Sequence, residues 1–135
     1  MAVRVIIAED EWLVAAQESS ELLNAGYEVV AVAKTGTEAL DFCIQHHPDL
    51  VLMDITMPDM DGLEATRRIM SLYPTCVVVV TANPDLGDAA QRAGAMGYLV
   101  KPFTAEKFLS TIAQAEARFV RLLASREDTG YPSLP

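Results

Sequence analysis

Basic residues are scarce in this chain: ten lysines and arginines stand against nineteen acids, a formal net charge of −9 over 135 residues. That surplus repels phosphate backbones and anionic bilayers, so neither direct nucleic-acid contact nor membrane contact is expected. Cysteine is nearly missing. Cys43 and Cys76 stand alone in apolar surroundings, which suits reduced core thiols better than a disulfide framework or a metal site. No run approaches the roughly 18 consecutive apolar residues that span a bilayer. The opening Val3-Arg4-Val5-Ile6-Ile7-Ala8 is too short for a signal h-region and lacks a cleavage site, so the expected location is cytoplasmic. Internal repeats and low-complexity segments are lacking as well. What remains, 51% hydrophobic and 21% charged residues, is the composition of one globular domain with room for a sizeable core.

The strongest signal is the stretch from Asp49 to Gly62. Leu50-Val51-Leu52-Met53 has no polar alternation, as in a central parallel strand covered on both faces, while Met57-Pro58 and Asp61-Gly62 are turn chemistry that ends it. Asp54 therefore sits at the C-terminal end of a strand, beyond which open α/β sheets form their ligand crevice. Other segments repeat the pattern. Val3 to Ala8 reads as a buried strand that stops at Glu9-Asp10-Glu11, and Tyr27 to Ala33 as a second strand. Cys76 to Thr81 is apolar until its final hydroxyl, and Tyr98 to Val100 is closed by Lys101-Pro102. Helical spacing is found between them. Trp12 to Ala25 carries Leu13, Val14, Ala16, Leu22 and Leu23, and further helices are predicted over Glu38 to His46, Leu63 to Leu72 and Leu86 to Ala93. A last helix runs from about Ala105 to Ala124, capped by Thr104 and striped by Phe108, Leu109, Ile112, Ala115, Phe119, Val120 and Leu123. Residues 125–135, with Gly130, Pro132 and Pro135, read as a disordered tail, which leaves 1–124 as the domain.

Five strands alternating with five helices require right-handed crossovers, so the expected fold is α/β: a three-layer (βα)5 doubly wound parallel sheet in the flavodoxin-like order 2-1-3-4-5. In that order the first, third, fourth and fifth strands end side by side and gather Glu9, Asp10, Asp54, Thr81 and Lys101. Three carboxylates so close repel unless one is protonated or a hard cation neutralises them. Mg²⁺ suits the site, because it takes oxygen ligands and keeps waters that a phosphate oxygen can displace. A lysine and a hydroxyl opposite it suit the remaining oxygens of a phosphoryl group.

These residues resemble the receiver domain of bacterial two-component response regulators, over about Val3 to Ala124, with its CheY-like fold. The resemblance implies that Asp54 is the phosphoacceptor, that Asp10 and Asp54 with the backbone carbonyl of Thr56 ligate Mg²⁺, and that Glu9 holds a metal-bound water. It implies that Lys101 pairs with the phosphoryl group, that Thr81 is the switch hydroxyl with Tyr98 its coupled aromatic, and that small Ala82 leaves room for the donor. It further implies a cis peptide bond at Lys101-Pro102. Glu9 stands where many members carry Asp. The implied partners are a histidine kinase or histidine phosphotransfer protein upstream. Downstream, the expectation is a protein target or self-association through the fourth helix, fifth strand and fifth helix.

Other readings meet these residues unequally. A receiver piece of a longer regulator whose output domain is missing shares every residue above. A flavin-binding electron carrier shares the sheet order, yet three acids after the first strand would repel a phosphate. An aspartate-nucleophile phosphohydrolase places a second acid two residues after the nucleophile, where this chain has Thr56. The expected role is thus a signalling phosphoacceptor and not an enzyme that turns over a separate substrate. His46-His47 before Pro48 reads as a solvated helix end, and Asp59 and Asp61 as turn formers before Gly62.

Overall fold

The computed structural model describes residues 2–128, and side chains as far as Ser125. Ten elements alternate along the chain: β1 (Arg4–Ala8), α1 (Trp12–Asn24), β2 (Glu28–Ala33), α2 (Gly36–His46), β3 (Leu50–Asp54), α3 (Gly62–Leu72), β4 (Cys76–Thr81), α4 (Gly87–Ala93), β5 (Gly97–Val100) and α5 (Ala105–Asp128). The strands form one parallel sheet in the order β2-β1-β3-β4-β5, as the alternation required.

Strand periodicity builds three layers. Successive side chains point to opposite faces, so Ile6, Val51, Met53, Val77 and Val79 pack with Ala39, Cys43, Ala65, Ile69 and Ala90 of α2, α3 and α4. Their neighbours Val5, Ile7, Leu50, Leu52, Val78 and Val80 pack with Ala15, Leu22, Phe108, Ile112 and Ala115 of α1 and α5. Both faces are therefore covered, which is why β3 and β4 could carry unbroken apolar runs. Val77 to Val80 are at most 1% exposed, and each contributes on the order of 1.5 kcal/mol through burial. Cys43 and Cys76 are buried free thiols, with burial pushing each up to about 12, so neither is reactive.

Local capping sets the helix starts. Thr35 accepts a hydrogen bond from the Glu38 N–H at 3.0 Å, Asp61 from Glu64 at 2.9 Å and Thr104 from Lys107 at 3.1 Å. Two expectations need correction. Of the apolar residues read on α1, only Leu22 is buried; the inward face is Ala15, Glu18 and Leu22, with Leu13 and Leu23 more than half exposed. Helix α5 does not stop at Ala124 but runs to Asp128, since no glycine or proline follows until Gly130. The tail expected over 125–135 thus begins inside a helix, and residues 129–135 lie outside the described ones. Among the described residues no helix is long and apolar enough to cross a membrane.

Candidate functional site

Register alone assembles the site. Ala8 of β1 pairs with Met53 of β3, so Glu9, the residue after β1, comes level with Asp54, the last residue of β3. Thr81 pairs with Val100, which puts Lys101 one residue beyond the end of β5; the Lys101 N–H is bonded to the Thr81 carbonyl at 2.8 Å. Segments up to 92 residues apart in sequence meet at this edge.

Glu9 and Asp54 are buried, while Asp10 is exposed. One carboxylate oxygen from each of the three lies within 4.8 Å of the others. Lys101 Nζ bridges the two buried acids, at 2.9 Å from Glu9 Oε1 and 3.3 Å from Asp54 Oδ2. The remaining oxygens also have donors: the Glu11 N–H reaches Glu9 Oε2 and the Thr56 N–H reaches Asp54 Oδ1, each at 3.1 Å. Both carboxylates are thus held in fixed orientation. Burial by itself pushes the Lys101 ammonium down, but its hydrogen bond to Glu9 and the charges of Asp54 and Glu9 reverse this, so its pKa is raised and the ammonium persists. Three carboxylates against one ammonium formally leave two negative charges at the sheet edge. A cluster of hard oxygen donors with that surplus suits a small divalent cation.

Thr81 is buried, and its hydroxyl accepts a hydrogen bond from the Asn83 N–H at 3.1 Å. The Tyr98 hydroxyl donates to the Asn83 carbonyl and accepts from the Leu86 N–H at 3.1 Å. Both residues therefore grip one loop, the link between β4 and α4. Ala82 is exposed beside Thr81, and the Lys101-Pro102 bond is cis. On the same flank a groove of about 730 Å³ runs between α4, β5 and α5, lined by Gly87, Ala90, Gly97, Tyr98, Arg118 and Leu122 among others. Val120 of α5 is 64% exposed.

Two features of the surroundings escaped the reading of the sequence. Gly62 was taken as turn chemistry, yet a Cβ there would stand 2.1 Å from the Asp54 carbonyl oxygen, so α3 can close on the end of β3 only with glycine. The Asp-Gly pair signalled a turn and said nothing of this approach. Glu18 is the other: at 4% exposure it points inward from α1, and burial, then the charge of Glu9, raise its pKa to about 8 against an opposing pull from Lys101. No pattern marked it, because a lone glutamate on a helix reads as solvated.

Comparison with known proteins bears on this arrangement. The family profile described as "Response regulator receiver domain" matches residues 5–113. The transcriptional regulatory protein PdtaR of Mycobacterium tuberculosis is 43% identical over 123 residues, 90% of this chain and 60% of that protein. The chemotaxis protein CheY of Bacillus subtilis is 36% identical over 115 residues, covering 83% of this chain and 96% of that one. The response regulator domain of Thermotoga maritima CheB superposes with a TM-score of 0.80 at 30% identity, covering 87% of this chain and 98% of that one. The chain spans 60% of the length of PdtaR, and 36% of that of an Archaeoglobus fulgidus protein-glutamate methylesterase to which it is 38% identical.

Proposed function

We propose that this chain, which belongs to the response-regulator receiver family, takes its phosphoryl group on Asp54. Receiver domains are phosphoacceptors in signalling, and this chain is a phosphoacceptor of that kind. The observation that carries the assignment to Asp54 is the Lys101 bridge: a single ammonium is held against Asp54 at the end of the central strand, with Glu9 as its second anchor.

In this reading an oxygen of Asp54 attacks the phosphorus of a phosphohistidine on a histidine kinase or histidine phosphotransfer protein. The P–N bond breaks, the imidazole leaves with its electron pair, and an acyl phosphate forms on Asp54. Asp54 enters this step already oriented by the Thr56 N–H and shielded from water by burial, so little reorganisation is needed. Lys101 moves its charge from the carboxylate to the incoming phosphoryl oxygens. Glu9, Asp10, Asp54 and the Thr56 backbone carbonyl are the residues that would hold Mg²⁺, with Glu9 acting through water; the ion supplies charge neutralisation at the phosphoryl oxygens. Exposed Ala82 leaves the approach to Asp54 open.

The output follows from the same bonds. A phosphoryl group adds about −1.5 to −2 charges near neutral pH and offers the Thr81 hydroxyl a charged acceptor. Drawing Thr81 inward releases the Asn83 N–H, loosens the loop that Tyr98 also holds, and shifts the population of α4 and Tyr98 conformers. The groove across α4, β5 and α5 is then the surface offered to a downstream protein or to a second copy of the chain. The reading puts the chain in the cytoplasm with its kinase, and keeps both nucleic acid and membrane out of its direct contacts. Mixing the protein with Mg²⁺ and a small acyl phosphate should add the mass of one phosphoryl group, and Asp54→Asn should abolish the addition. Retention of the added mass in that variant would move the acceptor elsewhere.

A further inference from the structure

A second cavity, of about 300 Å³, lies between α1 and the start of α5, lined by Val14, Gln17, Glu18, Glu21, Phe103 and Phe108 among others. Its walls are chemically uneven. Phe103 and Phe108 stack with ring centroids 5.4 Å apart and planes 9° from parallel; Phe108 is fully buried while Phe103 is half-buried. Glu18, 4% exposed, makes no hydrogen bond or ion pair among the described residues. Among the described residues no fully enclosed side-chain polar atom lacks a partner, so the oxygens of Glu18, a residue of the cavity wall, stay within reach of solvent. Glu21 is a second acid on its wall, and among the described residues no basic one lines it.

We propose that this cavity receives an arginine side chain of the protein that phosphorylates the chain. A guanidinium presents a planar face to an aromatic ring and a fork of donors to a carboxylate, and the cavity offers Phe103 and Glu18 for these two contacts. Its place suits a phosphodonor. Phe103 follows Lys101 by two residues, Val14 follows Asp10 by four, and the charges of Glu9, Asp54 and Lys101 all reach Glu18, so the cavity lies beside the carboxylate that a phosphodonor has to reach. This identity of the visitor rests on the phosphoacceptor reading; the chemistry of the cavity does not.

Buried carboxyls are costly when charged, and Glu18 avoids that cost by holding its proton up to about 8. The groups acting on it are Glu9 and Asp54, which favour the proton, and Lys101, which opposes it; Glu21 shares its cavity wall. An arriving guanidinium supplies the missing counter-charge, so the proton leaves as the ion pair forms. An aliphatic residue would fill the position without this expense.

The test uses the whole chain with saturating Mg²⁺, titrated with N-acetyl-argininamide and with its neutral isostere N-acetyl-citrullinamide, and followed by amide NMR. Arginine is expected to shift the amides of Val14, Gln17, Glu21 and Phe103, with at least about fivefold weaker binding by the citrulline probe, by Glu18→Gln and by Phe103→Ala, consistent with loss of a charged contact. Phosphorylation of Glu18→Gln by a small acyl phosphate should stay within about twofold of wild type, which also reports that the variant is folded. Equal binding of the two probes, indifference to both substitutions, or shifts confined to Asp10, Asp54 and Thr81 would overturn the proposal. A wild-type chain that accepts no phosphoryl group would overturn the phosphoacceptor reading and the visitor's identity with it. Phosphorylation without selectivity for arginine would overturn the cavity's role alone.

Discussion

Helices α3 and α4 each follow a strand that ends in a site residue, Asp54 and Thr81 respectively, yet they are fastened in different ways. Helix α3 has eleven residues, a side-chain cap from Asp61, a backbone bond from the Gly62 N–H to the Ile55 carbonyl at 2.9 Å, and a glycine pressed against the Asp54 carbonyl. Helix α4 has seven residues and no side-chain cap of its own. The N–H of Leu86, at its cap position, is satisfied instead by the hydroxyl of Tyr98, borrowed from β5. A helix so short is marginal by itself. The chemistry is therefore anchored to the tightly fastened helix, while the element whose position depends on one movable hydroxyl stands on the groove beside β5. The sparser fastening of α4 suits the switch proposed for it, because elements that move are drawn from the less stable parts of a fold.

The sharpest way to break the tight side of this comparison is Gly62→Ala. A Cβ placed 2.1 Å from a backbone oxygen forces α3 off the end of β3, and the expected loss is about 3 kcal/mol or more, read by urea unfolding, together with slower acceptance of the phosphoryl group. Unchanged stability would mean that α3 is not pinned there.

Lys101→Met comes next. It leaves Glu9 and Asp54, both buried, without their shared counter-charge. A loss of about 2–3 kcal/mol is expected, below the full value for a buried pair because Lys101 is partly exposed, and Mg²⁺ should restore part of it. A variant as stable as wild type without Mg²⁺ would contradict the bridge.

Helix α1 sharpens the comparison with a cost in place of a fastening. Folded Glu18 keeps its proton to about 8, whereas a glutamate in water loses it near 4.5, so between those values the unfolded chain binds fewer protons and stability falls as pH rises. The fall is on the order of 1.4 kcal/mol per pH unit at most. Glu18→Gln removes this slope, so the variant should gain on wild type from pH 4.5 to about 8 and hold a constant advantage above. Parallel stability curves for the two proteins would show that the carboxyl titrates normally.

Smallest is the pair Asp61→Ala and Tyr98→Phe, each worth about 1 kcal/mol as a lost cap or hydrogen bond. The first should lower the global midpoint of unfolding. The second should speed hydrogen exchange over Gly87–Ala93 while leaving Gly62–Leu72 protected.

Much of this architecture was legible in the residues themselves. Strands β3 and β4 are covered on both faces, so their apolar runs needed no other context, and the acids, Thr81 and Lys101 marked strand ends because a polar group stops a buried run. Thr104 announced its helix through capping chemistry. Facing and close approach were not legible. The buried stripe of α1 is centred on Ala15, Glu18 and Leu22 because Ala15 and Leu22 share a core cluster with Phe108, more than 80 positions further along the chain. The crowding at Gly62 likewise depends on where β3 ends in space, and the borrowed cap of α4 depends on the β4–β5 register.

The most direct measurement is hydrogen exchange of α3 and α4 compared within one sample, in the free protein and with Mg²⁺ and beryllofluoride standing in for the phosphoryl group on Asp54. The account predicts that exchange over Gly87–Ala93 changes by about tenfold, corresponding to roughly 1.4 kcal/mol of local stability, while Gly62–Leu72 stays within about twofold. Equal changes in the two helices, or a change confined to α3, would contradict it.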